Sequence, residues 1–200
     1  QTFTTGAGTA SYKLAHLNQR SAQTLKLAET VYVGGSSAAI TFLSRLAVAT
    51  SIETARVQVS TDEGASWIDL FTQAGTTPTS GTPTPTENAF VTRTVSLANY
   101  VGRTVDIRLN YSIEPSGIAY LPAADNPVGW FIDNLTLSGV QSVSASSITG
   151  VPAGSTFTYT PAASGSIGLQ ARGVLFGSYP IAWGTVTFVN AVAAGPGPTV

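Results

Sequence analysis

The chain of 200 residues has no cysteine, no methionine, one histidine and very little charge. Each scarcity removes a class of function. Without cysteine there is neither a disulfide framework nor a thiolate metal site. The lone His16 lacks the further ligands that a zinc site of the usual kind needs. No G-x-S-x-G elbow accompanies it for a serine triad either, so it reads as a structural residue. Charged residues make up 10% of the chain, against a norm of about 25%. The polar surface must therefore come from Thr, Ser, Asn, Gln and backbone. Nine basic and ten acidic residues leave a net charge of -1, which argues against nucleic acid or an anionic membrane surface as a partner. No apolar run approaches the roughly 18 residues of a spanning helix. The missing methionine points to a processed product or a fragment, and Gln1 fits a mature end left by signal removal. These features together give the expectation of a secreted, extracellular or cell-surface protein.

What the chain does have is β-branched and aromatic residues in short alternating runs, broken by Gly, Pro, Ser and Thr. Strands are predicted at 24–33, 38–46, 54–60, 67–73, 89–96, 104–112, 129–138, 156–160, 165–173 and 181–192. Helical periodicity is nearly absent; residues 97–102 allow one turn, with Gly102 as its stop. The pattern predicts an all-β chain: an antiparallel jelly-roll β-sandwich plus a small C-terminal β module. Residues 75–88 are rich in Thr and Pro and read as a long, mobile surface connector. Residues 115–127 form a second irregular insertion, and Tyr120 and Asp125 near its tip are the candidate ligand contacts. The composition turns Ser/Val-rich near 139–147, which places the sandwich at 1–140, an immunoglobulin-like module at 141–193 and a tail at 194–200. Three or four strands are half of an immunoglobulin-like sandwich. Such a module must pack on the first domain, or borrow a strand or sheet from a neighbouring chain.

Three motifs follow in order. Ser60-Thr-Asp62-Glu-Gly64-Ala-Ser-Trp67 is an Asp-box hairpin, in which a short acidic side chain bonds turn amides and glycine takes φ > 0. Val95-Ser-Leu-Ala-Asn-Tyr-Val-Gly-Arg-Thr-Val-Asp-Ile-Arg-Leu-Asn-Tyr111 comes next, then Gly129-Trp130-Phe-Ile-Asp133-Asn-Leu-Thr-Leu137. Over residues 10–139 the chain resembles the MAM-like, choice-of-anchor type jelly-roll modules of bacterial secreted proteins, including those appended to immune-inhibitor-A-type peptidases. Reelin subrepeats share a looser version. The resemblance implies a bacterial, non-catalytic module. It also implies one cofactor, a structural Ca2+, with Asp133 as the candidate ligand; Asn134 stands where the pattern has a second Asp.

Asp133 follows Gly-Trp-Phe-Ile in a strand that ought to be central. As a carboxylate pointing inward or to a sheet edge, it needs backbone amides, an Arg or a hard cation. Asp62 is expected to cap its own turn. The remaining acids are sparse, and nothing selects the facing pair that glycoside hydrolysis requires. Trp67 and Trp130 lie in blocks where aromatics pack a core, leaving Tyr120 as the aromatic suited to ligand contact. The expected function is a non-catalytic structural or adhesive module that engages a protein partner or further copies of itself through its C-terminal β module. The alternative is a carbohydrate-binding module with a glycan partner.

Overall fold

The structure, a computed structural model, describes residues 5–14, 22–114 and 127–143, together with the backbone of Gly165–Leu169, Val174–Leu175, Tyr179–Pro180 and Thr187–Ala191. His16, Tyr120, Asp125 and the strand expected at 156–160 lie outside the described residues. In chain order the strands are β1 (Tyr12–Leu14), β2 (Gln23–Lys26), β3 (Thr30–Val33), β4 (Ala39–Leu46), β5 (Glu53–Ser60), β6 (Ile68–Ala74), β7 (Val91–Ser96), β8 (Thr104–Ile113), β9 (Trp130–Ser138) and β10 (Val140–Val143). Their pairings are antiparallel. One sheet has the order β1-β9-β4-β7; the other runs β10-β3-β8-β5-β6, with β2 sharing with β3 one edge of β8. The chain is all-β, and the two sheets form a sandwich. A single 3-10 turn, Ala98–Tyr100, joins β7 to β8, and Gly102 behind it has φ 78°.

Alternation explains why these segments are strands and which side of each is buried. From β4 come Ile40, Phe42 and Leu46, from β5 Ala55, Val57 and Val59, and from β8 Val105, Ile107, Leu109 and Tyr111. With Trp130 and Ile132 of β9 they make one shared core. Trp130 is fully buried, its indole N–H donating to Ser44 Oγ at 2.9 Å and its ring meeting Phe42 edge-on at 6.1 Å. Burial of each such side chain contributes about 1.5–3 kcal/mol.

Two irregularities keep apolar residues facing inward. In β9 the core positions are Trp130 and Ile132, then Leu135 and Leu137, a phase slip of one residue. A bulge makes the slip: Leu43 pairs with Asp133 and Thr41 with Thr136, so Asn134 and Leu135 together face Phe42. Asn134 has φ 47°, and Asn is among the few non-glycine residues that adopt this region readily. The second irregularity divides the strand expected at 24–33. Lys26 pairs with Arg108 but Val31 with Val105; Leu27 N still donates to Ile107 O at 3.0 Å, so the two extra residues are taken up at 28–29.

Two expectations are corrected. The Thr/Pro-rich segment is not a free connector. Its main chain pairs with 46–49 through Thr77 N to Ala49 O, Thr86 N to Ala47 O and Glu87 N to Leu46 O, while Thr77 Oγ1 donates to Thr84 O and accepts from Ala49 N. Threonine side chains replace the bonds that proline cannot make. The sandwich also continues past residue 140. Gly139, at φ 65°, turns so closely on Ala38 that an added Cβ would lie 2.8 Å from its Cα. That turn carries β10 across to pair with β3 as far as Val143. Farther on, β11 (Gly165–Leu169) pairs with β14 (Thr187–Ala191), and β12 (Val174–Leu175) with β13 (Tyr179–Pro180).

Gly75 is required by contact, since a Cβ there would sit 2.0 Å from Ala49 O and 2.5 Å from Thr50 O. Gly75→Ala should therefore destabilise the chain by about 2–3 kcal/mol in urea denaturation. Gly35→Ala, which meets nothing within 4 Å, should stay within about 0.5 kcal/mol of the parent.

Candidate functional site

The side chains that carry chemistry fall into four places. The Asp-box is a closed turn. Glu63 and Gly64 have φ 58° and 89°, and Asp62 Oδ1 accepts from Ser60 Oγ at 2.7 Å and Ser66 N at 2.8 Å. Its Oδ2 accepts from Ser66 Oγ at 2.5 Å, while Ser60 Oγ accepts from Gly64 N at 2.8 Å. The Ser66 and Ser60 hydroxyls hold the Asp62 carboxyl below the usual carboxylate range.

Asp133 sits on an internal strand, at the bulge and on the outer face of its sheet. Its Oδ2 accepts from the amides of Ala7 and Gly6, each at 2.8 Å, and its Oδ1 from Asn134 N at 2.7 Å. The Ala7 amide leads in holding this carboxyl low. The N-terminal segment is thereby strapped across the sheet, with Gly6 so close to Leu43 and Phe90 that a Cβ would come within 2.8–2.9 Å of them. Three N–H dipoles converge on this carboxylate, a donor set that suits an anion and opposes a cation. Among the described residues no group of three or more His, Cys, Asp or Glu could hold a metal. The residues around Asp133 do not fit a calcium ion.

Glu53 and Glu87 are buried, as is Asp106 on β8. Glu53, on the core side of β5, accepts from Thr50 N at 2.6 Å, Thr50 Oγ1 at 3.0 Å and Tyr111 OH at 3.2 Å. Burial, reinforced by Glu53, pushes the Tyr111 phenol far above its ordinary range. Glu87 accepts from Leu46 N at 2.5 Å and pairs with Arg93, whose guanidinium lies over the Phe71 ring at 5.5 Å. Arg93 Nε is buried without a hydrogen-bond partner.

The fourth place is the outer face of the larger sheet, and it holds the densest polar chemistry. Alternation on β8 puts Asp106, Arg108, Asn110 and Ser112 outward, opposite Ser60, Gln58, Arg56 and Thr54 of β5. Arg108 Nε donates to Gln58 Oε1 at 2.7 Å, and Gln58 Nε2 to Asp69 Oδ1 at 2.6 Å. Arg56 meets Asp69 at 3.3 Å and Glu114 at 2.9 Å, and bonds Ser112. Toward the other edge, Asp106 accepts from Thr30 Oγ1 at 2.8 Å and faces Lys26 at 3.7 Å; Thr24 donates to Asn110 at 2.9 Å. Arg108 stacks on the Trp67 ring at 4.0 Å, and burial draws its pKa below the usual guanidinium value. Trp67 is therefore not a core residue. It is half-buried at the hairpin, with its N–H donating to Gly64 O at 3.0 Å.

Of the residues singled out by sequence, Ser60, Asp62, Gly64 and Trp67 come together in the hairpin; Trp130 enters the core. Gly129, at φ 94°, turns the chain into β9, which carries Asp133. These groups do not converge on one centre. Sequence reasoning missed Arg56, Gln58, Arg108 and Asn110. Their signal was available in R-V-Q-V-S and D-I-R-L-N-Y-S, where every second residue is polar. Compared with protein-family models and with curated proteins, the chain matches none of either.

Asp62 and Asp133 have depressed folded pKa values, so the stability they add is present above about pH 4 and is lost as pH falls through their lowered values. Asp133→Ala should cost about 1 kcal/mol at pH 7. Urea midpoints of parent and variant should draw together below pH 3.

Proposed function

We propose that the chain is a non-catalytic, secreted module with a structural or adhesive role, one that joins further copies of itself or a neighbouring protein through its C-terminal β segment. The observation that carries this reading is what the carboxylates do. Asp62 closes a turn, Asp133 straps the N-terminal segment, and Glu53 and Glu87 satisfy buried amides. Asp69, Asp106 and Glu114 are paired with the basic residues of one sheet face. Acid–base chemistry needs a group with lone pairs or protons to exchange with a substrate, and these groups are bound to the chain itself. The described C-terminal strands make two two-stranded ribbons, and such ribbons need a further layer to be stable. The resemblance to MAM-like modules supports the same reading.

Light scattering of the full chain over a concentration series, with and without a chelator, tests it. Mass should grow with concentration and ignore the chelator. A single-chain mass throughout would remove this reading.

A second reading, glycan binding, is favoured by the outer face of the larger sheet, where the amides of Gln58 and Asn110 flank Arg108 on its Trp67 platform. It differs from the first in requiring retention on an insoluble polysaccharide. Arg108→Ala should then weaken that retention about tenfold. Failure of the parent chain to bind any polysaccharide would dispose of it.

A further inference from the structure

The sandwich ends in unequal edges. β1 has three residues, and β2 and β10 four each. β6 is longer, but its ladder with β5 shifts register between Val57 and Gln58, and it carries Asp69. Shortness, bulges and charge all discourage another chain from adding to a sheet. β7 differs. Its six residues, Val91–Ser96, pair with β4 in unbroken register and, among the described strands, with β4 alone. Its only charge, Arg93, is turned toward Phe71 and Glu87 at the seam between the sheets.

The direction of the β7 backbone follows from one bond. Leu97 N donates to Ala38 O at 2.8 Å, so along this strand the odd residues turn their amides and carbonyls toward β4. Thr92, Thr94 and Ser96 turn theirs to the open edge. Their side chains lie on the outer face and are exposed. Val91, in the row of β7 that faces inward, is 41% exposed; β6 approaches across the seam, but no described strand pairs with β7 on its open side.

We infer that β7 is a strand-addition edge whose occupant is β7 of a second copy of this chain, antiparallel about a two-fold axis at Thr94. It goes beyond the reading above, which joins copies through the C-terminal segment, by adding a second and separate contact in the sandwich. The argument for a second copy is self-complementarity. With Thr94 opposite its own mate, Thr92 faces Ser96 and Arg93 faces Val95, so the arginines are not opposed. Each outward pair exchanges two backbone bonds. The outer face already holds the row Thr94–Thr41–Thr136 across three strands, with Thr41 and Thr94 hydroxyls 3.4 Å apart. The two-fold continues that row through the mate, adding the Thr–Thr pairing that stabilises antiparallel neighbours. Shifting the axis to Arg93 would set like charges face to face. The contact is isologous and closes on itself.

Sedimentation velocity on the full chain tests the assignment. Thr94→Lys sets two cations together at the axis and leaves the β4 ladder untouched; it should weaken association at least about tenfold. Thr94→Glu should do the same, and a one-to-one mixture of the two variants should associate again, which a misfolded variant could not do. Ser138→Lys, on the same face but away from the edge, should associate like the parent. Association undiminished in Thr94→Lys, or a mixture no better than its parts, would overturn the β7 contact while leaving the broader reading in place. A parent chain that stays monomeric would overturn both.

Discussion

Two surfaces of this protein depend on the alternation of β8. Its odd positions from Val105 to Tyr111 supply the core, and its even positions from Asp106 to Ser112 make the polar outer face. A shift of one residue in its pairing with β5 would bury Arg108 and expose Ile107. The register is over-determined, because β5 follows β8 along its length while β2 and β3 hold the opposite edge. Polar contacts between the two strands, such as Arg108 with Gln58 and Arg56 with Ser112, are individually weak on a surface. Their value here is geometric: they form only when the two strands are in this register.

Scarcity of charge gives this arrangement its character. The sequence has nineteen ionisable acids and bases apart from His16, and most of those described have assigned partners. Lys26, Arg56, Arg108, Asp69, Asp106 and Glu114 share one face, whereas the opposite outer face has Thr41, Thr94, Thr136 and Ser138 at one end and, beyond Asp133, Arg45 with Lys13 over Phe131 at the other. The molecule thus presents one side of networked charges and one on which a row of hydroxyls runs to the β7 edge. The first has the variety of donors and acceptors to discriminate among small polar ligands; the hydroxyl row of the second suits contact with something equally neutral.

Much of the fold was legible in the sequence. Most strands of the sandwich, though not β1 or β10, announced themselves by period-two alternation, and the turn at 97–102 by its glycine. What stayed hidden has physical causes. The break at 27–29 is imposed by pairing with β8, which local pattern does not contain. The position of Trp67 was misread because an aromatic after a turn suits either side of a sheet, and only Arg108 on the neighbouring strand decides between them. The attachment of the Thr/Pro-rich segment rests on hydroxyls, which leave no periodic trace. The bulge at Asn134 was visible as W-x-I-x-x-L-x-L, a spacing that makes sense only with one residue displaced. The candidate site was less legible than the fold, since the outer-face network is a product of register between strands fifty residues apart.

The strap at Asp133 has a consequence for how the molecule comes into being. β1 finds its partner more than a hundred residues away, Tyr12 pairing with Ile132, and the amides of Gly6 and Ala7 wait for the same distant strand. The smaller sheet therefore cannot close while the chain is still emerging. Closure of so wide a loop comes late and slowly, so residues 6–14 are fixed in place only after the strand that receives them.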